Sequence, residues 1–345
     1  MRLTVAARNV FQSWMFVTGV FAQGAMAMDA ENKTAPLAER KFDFTYSVEI
    51  EPVPAGSGPV DVFVPLAKSD EHQEVLSRQI TASIPGAEKS EQRFGNLFWH
   101  GHVEKSDGKP ITVSVQYTAL RKRFERDAMS ASKDAKYTKK ELEEFGGYLK
   151  ADALVPVSGE LIDKVRKDIP DAGAAPQVRA KAIYNYVVDT MEYKKVGTGW
   201  GNGDTAWACS NRYGNCTDFH SLFISLARAD GIPARFEIGF SIPDDKQEGD
   251  ISGYHCWAEF YLPSIGWVPI DASEAKKNLA KRELFFGTHP ADRFQFTMGR
   301  DLALGDGNKS GPLNFFIYPH VEVAGQKLAK EKMKNSFKFA SASAR

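Results

Sequence analysis

The sequence has 345 residues, 43% hydrophobic and 26% charged, with a formal net charge of +0. That is an ordinary globular composition, long enough for two domains with proper cores. Balanced charge leaves no global field to draw nucleic acid or an anionic membrane, and the scattered lysines read as solvated surface.

Residues 1–27 read as a secretory signal peptide. Arg2 and Arg8 form a positive leader, Met15 to Ala22 a short apolar run, and Ala25-Met26-Ala27 a cleavage site of small-x-small form. The run is too short to span a bilayer, and no later stretch approaches about 18 apolar residues. No cysteine lies near the cleavage site, which disfavours a lipoprotein. The expected mature protein is periplasmic or secreted and has no permanent membrane anchor. Cleavage leaves 44 − 2 = 42 basic residues against 44 acidic.

From Lys41 to about Arg126 the pattern alternates with the period of a strand. Phe42, Phe44, Tyr46, Val48 and Ile50 share one face. Val60, Val62 and Val64 repeat the pattern, and Pro65 is expected to end that strand. Ile111, Val113, Val115 and Tyr117 give a third. Turn signals at 54–58, Pro85-Gly86 and 107–110 separate these runs. The region 38–128 is therefore expected to be an all-β sandwich domain that packs on the C-terminal part of the chain and supplies no catalytic group. His100 and His102 share one strand face. With no third ligand nearby, they read as surface histidines.

Residues 129–150 read as a charged linker with a short helix. Leu161, Ile162, Val165 and Ile169 mark a helix over 158–169. Pro176 opens a longer one to about Tyr193. Gly197 to Gly203 is a glycine-rich, aromatic-bearing loop of the kind that borders clefts.

The stretch Gly214 to Leu226, GNCTDFHSLFISL, turns from loop into helix at Asn215-Cys216. Phe219, Leu222, Phe223 and Leu226 then recur at helical spacing. A cysteine in the first turn of a helix meets the positive end of the dipole and unpaired N–H groups, which favour the thiolate. Tyr254 to Leu262 alternates as a strand with His255 near its start. Gly266 to Ser273 is a shorter strand ending in Asp271, and residues 263–266 make the hairpin turn. Cys216, His255 and Asp271, spaced by 39 and 16 residues, are a nucleophile, a general base and an orienting carboxylate in order. His220, one turn beyond Cys216, reads as a packing or supporting residue, and Asp218 as structural. A metal site built from Cys216, His220 and His255 is the poorer reading. Of the three cysteines, Cys209 and Cys256 are the only pair left for a disulfide if Cys216 stays reduced. Whether they form one is open.

These residues resemble a bacterial member of the transglutaminase-like superfamily, within the papain-like Cys-His-Asp cysteine enzymes. The matching pieces are GNCTDFHSLF (214–223), GIPARFEIGF (231–240), HCWAEFYLP (255–263) and GWVPIDAS (266–273). The segment after Asp271 resembles the family as well. The resemblance implies an α+β fold, in which a helix bearing Cys216 packs on an antiparallel sheet, preceded by the β-sandwich. It implies Cys216 as nucleophile, His255 as base and Asp271 as orienting acid. Animal transglutaminases use an upstream tryptophan to help hold the oxyanion. The candidates here are Trp200, Trp207 and Asn215, beside the Cys216 backbone N–H.

The expected organisation is then a signal peptide (1–27), β-sandwich (38–128), linker (129–150), catalytic domain (151–323) and basic C-terminal tail or edge strand (324–345). Phe315 to Val323 reads as a strand, with Lys334 to Phe339 pairing to it. The expected substrate is a peptide or protein amide, with no cofactor, no metal and no nucleic acid. Water as acceptor gives a peptidase or amidase, which the resemblance favours, and a lysine amine gives a transglutaminase. A non-catalytic exported binding or assembly module on the same fold is the reading of a different class.

Overall fold

A computed structural model describes residues 38–341, which lie in one compact unit. The proposed signal peptide lies outside the described residues.

The longer strands of the first part are β1 (Glu39–Ile50), β2 (Val60–Leu66), β3 (Gln73–Ala82), β4 (Gly86–Ser90), β5 (Leu97–Val103) and β6 (Ile111–Lys122). Five helices come next: α1 (Lys139–Phe145), α2 (Glu160–Asp168), α3 (Pro176–Thr190), α4 (Thr205–Asn211) and α5 (Cys216–Ala229). The chain then forms β7 (Ala234–Ser241), β8 (Glu248–Asp250), β9 (His255–Leu262), β10 (Gly266–Ile270), α6 (Ala272–Lys277), β11 (Arg293–Met298), β12 (His320–Val323), β13 (Gln326–Lys327) and β14 (Met333–Ser341).

Three antiparallel sheets organise these elements. One has the order β8-β14-β1-β6-β3, a second β13-β12-β2-β5-β4, and the third β10-β9-β7-β11. The alternation in β1 is that of the sequence: Phe42, Phe44, Tyr46, Val48 and Ile50 are buried and most of their neighbours face out. In β2 every residue is buried, because both faces of the strand are covered, and the strand runs on through Pro65 to Leu66. Helix α5 packs against β9 and β7, with Phe219, Leu222, Phe223 and Leu226 fully buried.

The C-terminal segment is not a tail with an edge strand. Strand β14 lies between β8 and β1, with Phe42 opposite Ser341 and Ile50 opposite Met333. It does not pair with 315–323, and only His320–Val323 of that stretch is strand, joined to β2. The alternating apolar residues of β14 (Phe337, Phe339) fit the inner face beside Tyr46, which explains the choice of partner. The short helix α4 follows the Gly197–Gly203 loop, in a stretch to which the sequence pattern assigns no element. Asp204 caps it, accepting from the N–H groups of Ala206 and Trp207.

The first and third sheets meet through aromatic side chains. Phe44 lies 5.1 Å from both Phe240 and Phe294, ring centre to ring centre, and Tyr117 lies 5.3 Å from Phe294. The outer edge of β11 is satisfied by two side-chain amides. Gln73 accepts from the Gln295 N–H (2.8 Å) and donates to its carbonyl (3.0 Å). Asn96 does the same for Met298, at 2.8 Å each way. An edge that would otherwise invite another strand is thereby closed.

Phe44 is 1% exposed. Phe44→Ala should therefore destabilise the protein by about 3–5 kcal/mol, read as a lower urea midpoint at unchanged slope.

Candidate active site

The site begins with a loop that is forced to stop. Asn215 has extended backbone angles, and its side-chain oxygen accepts from the Thr217 N–H at 2.9 Å, which starts α5 at Cys216. Asp218 completes the box by accepting from the Asn215 N–H, also at 2.9 Å. The same carboxylate accepts from the N–H groups of Gly201 (2.7 Å) and Gly203 (3.0 Å), so it fixes the 201–203 loop beside the helix start. Gly214 is required here, since a Cβ would stand 2.2 Å from the Asp218 carboxylate oxygen.

Cys216 is 2% exposed and is the first residue of the helix. Its own N–H is one of the first-turn groups that have no helical acceptor. His255 opens β9, and Asp271 comes directly after the last residue of β10, where it caps α6. His255 Nε2 lies 2.6 Å from Asp271 Oδ2, which leaves Nδ1 to face the Cys216 thiol. Asp271 is fully buried yet well supplied with donors. Arg293 Nη2 meets Oδ2 at 2.9 Å, and the Ser273 hydroxyl and Glu274 N–H each donate to Oδ1 at 2.9 Å.

Charge is set by this geometry. Burial acts to lower the His255 pKa, but the Asp271 carboxylate outweighs it and the ring is raised to about 9. Burial acts to raise the Cys216 thiol, and the neighbouring Cys256 thiol and His255 ring outweigh it, so Cys216 sits well below the ordinary thiol range. Burial also opposes the Asp271 charge. His255 and Arg293 overcome it and hold the carboxyl well below its usual range. The arrangement favours a thiolate beside an imidazolium.

His220 is not at the sulfur of Cys216. Its Nε2 accepts from the Ala272 N–H (3.2 Å) and lies 3.5 Å from Asp271, and its Nδ1 is 3.7 Å from Cys256 Sγ. All three cysteines are free thiols, so the Cys209–Cys256 pair is not bridged. The side chains expected to border the oxyanion are engaged elsewhere. Trp200 donates its indole N–H to the Gly197 carbonyl at 3.2 Å. Trp207 lies edge-on to Tyr213 and packs against Gly199. Asn215 uses its oxygen as the helix cap and donates its amide to the Tyr254 hydroxyl at 3.0 Å. Two supporting residues gave no sign in the sequence. Tyr254, next to His255 in the chain, also meets the Thr217 hydroxyl at 2.9 Å. Arg293 stands 22 residues beyond Asp271 and carries no local signal.

A sequence profile described as the transglutaminase-like superfamily matches residues 163–272, a span that holds Cys216, His255 and Asp271. An uncharacterised protein of Haemophilus influenzae is 30% identical over 332 residues, covering 83% of this chain and 87% of its own. The chain belongs to the transglutaminase-like superfamily. A crystal structure of a candidate cysteine protease from Cytophaga hutchinsonii shares the fold of this transglutaminase-like chain, with a TM-score of 0.60 and 16% identity over 90% of this chain and 93% of that one. The uncharacterised protein YebA of Bacillus subtilis is 32% identical over 79 residues, 20% of this chain and 11% of its own.

The thiolate forms as pH rises through the lowered Cys216 pKa, and the His255 proton is lost only near pH 9. The iodoacetamide reaction of Cys216 should therefore gain less rate per pH unit below about pH 9 than that of a free thiol, whose rate climbs with each unit over the same range. In Asp271→Asn the His255 pKa falls and that of Cys216 rises, so the rate should climb more steeply with pH. A wild-type rate that climbs like a free thiol would contradict the ion pair.

Proposed function

We propose that this transglutaminase-like chain is an exported cysteine acyl-transfer enzyme, with Cys216 as nucleophile, His255 as base and Asp271 as the acid that orients it. The 2.6 Å contact of His255 Nε2 with a fully buried Asp271 carries this reading, because it fixes the imidazole with its other nitrogen toward the thiol. The Cys216 thiolate attacks an amide carbonyl, and His255 delivers its proton to the leaving amine. The thioester is then released as His255 takes a proton from the acceptor. The Cys216 N–H at the helix start is aimed to serve the oxyanion.

Hydrolysis is the favoured second step, making the protein a cysteine peptidase or amidase acting on a peptide or protein amide. Cys216 at 2% and His255 at 6% exposure suit a small acceptor better than a lysine side chain. The mature protein is proposed to be periplasmic or secreted, on the strength of the leader sequence. No helix among the described residues is long and apolar enough to cross a membrane.

An acyl-donor screen read by mass spectrometry, with and without added amine, tests the reaction. Free acid should dominate even when amine is present, whereas a dominant amine adduct would make the protein a transglutaminase. On the substrate so found, Cys216→Ala and His255→Ala should each reduce kcat by about 10^4-fold or more while leaving the fold intact. Full turnover by Cys216→Ala would move the chemistry to another nucleophile.

A further inference from the structure

Away from the thiol, the second sheet gathers two histidines and an aspartate. Asp61 on β2 is directly opposite His102 on β5, so their side chains share a face. His100 lies two residues back along β5 on that same face. The Asp61 Oδ1 atom is 2.7 Å from His100 Nε2 and 2.8 Å from His102 Nδ1. The missing third ligand of the His100/His102 pair is thus present, 39 residues upstream of His100, brought in by strand pairing. Nor is His100 a surface histidine. It is 8% exposed, and Phe63 stacks flat on its ring at 4.5 Å and 3°. Asp61 is 5% exposed, while the His102 side chain is 42% exposed and opens the cluster to solvent.

A second feature points into the same place. Gly307 closes over the cluster with φ +95°, and a Cβ there would stand 2.7 Å from Asp61 Oδ1 and 3.1 Å from His100 Nε2. The loop carrying it is anchored by Glu322. That carboxylate accepts from the Lys309 N–H and the Asn308 amide at 2.9 Å, and from the Ser310 hydroxyl at 2.8 Å. Backbone is therefore held against the donor atoms where any side chain would block them.

We propose that Asp61, His100 and His102 form a binding site for a divalent first-row transition ion, zinc above all. Two imidazole nitrogens and one carboxylate oxygen are a zinc donor set, and they leave a fourth position for water on the His102 side. Calcium and magnesium, which need oxygen ligands, do not suit it. Tetrahedral ligation spaces donors about 3.3 Å apart, so the cluster must spread by roughly 0.5 Å. Glu104, whose carboxylate is 3.3 Å from His102 Nε2, is placed to take the proton-bearing side of that ring.

One group opposes the ion. Lys89 Nζ lies 2.8 Å from His100 Nδ1, and an ammonium there makes Nδ1 an acceptor and puts the ring proton on Nε2, facing Asp61. The ion needs Nε2 bare, so Lys89 has to release Nδ1. Every residue of its strand β4, at the sheet edge, is exposed, which leaves the side chain free to swing out. A bound ion would tie β2 to β5 beneath the Gly307 loop. The chain beyond that loop reaches the catalytic region, where Asn314 donates to the Asn202 carbonyl at 2.8 Å and the Phe315 ring lies 5.8 Å from Tyr254.

The test is titration of the full chain with zinc by calorimetry and with cobalt by absorption, alongside a thermal melt. The site should take one ion per chain, raise the melting temperature, and give cobalt d–d bands with no thiolate charge-transfer band. Cys216→Ala should bind as the wild type does. His102→Ala and Asp61→Asn should each weaken binding by about tenfold or more, and Lys89→Ala should strengthen it. His102 is exposed, so His102→Ala keeps its fold and decides the matter alone should Asp61→Asn unfold. Unchanged zinc affinity in His102→Ala, or a cobalt spectrum dominated by thiolate, overturns the proposal. Neither readout depends on turnover, so the result stands apart from the reading of Cys216 as nucleophile.

Discussion

The candidate site depends on one buried charge. Asp271 has no exposed surface, and an ionised carboxylate in that position is stable only when its oxygens are met by donors. His255 comes from β9, Arg293 from β11, and Ser273 and the Glu274 N–H from α6. The carboxylate therefore ties two strands of the third sheet to the α6 helix. Removing one partner from a buried ion pair costs about 3–5 kcal/mol, because the other charge is left in place. Asp271 in turn keeps His255 charged against burial and the nearby Arg293 guanidinium, and Cys256 and His255 together lower the Cys216 thiol. Fold and chemistry share these bonds.

Asp218 is the counterpart on the nucleophile side. It is buried and takes three backbone N–H groups, so α5 and the 201–203 loop cannot shift independently. Burial acts to raise its pKa against those bonds. The Cys216 backbone N–H is held in the same frame, which fixes where a developing oxyanion would have to lie.

What the sequence made legible came from local period and from residue type. β1, α5 and the β9–β10 hairpin are periodic segments bounded by turns, and Cys216, His255 and Asp271 stand at their ends. Arg293 and Gln73 were invisible for the opposite reason. Each acts across a long separation in sequence, and neither residue type is rare. The hydrogen bonds of Trp200 to the Gly197 carbonyl and of Asn215 to the start of its own helix are local, so residue type alone could not tell how their polar atoms are used. His100 looked like a surface residue because its partner Asp61 arrives by strand pairing. The β region was expected to pack on the C-terminal part of the chain, and the residues that make the contact carry no local signal either. Its strands alternate as a sandwich should, yet Phe44, Gln73 and Asn96 all close on the third sheet. Removing residues 38–128 would strip β14 of its β1 partner and bare the edge of β11, so the remainder is not a free-standing core.

The pairing of β1 with β14 also sets a timetable. Phe42 meets Ser341, almost the full length of the described chain away. At ribosomal speeds of about 5–20 residues per second, β1 waits roughly 15 to 60 s for its neighbour to be synthesised. Through that interval its buried row of Phe42, Phe44 and Tyr46 lacks one flank, and the long loop to be closed slows the final step further. Synthesis thus delivers a chain whose first sheet stays open beside β1 until β14 arrives.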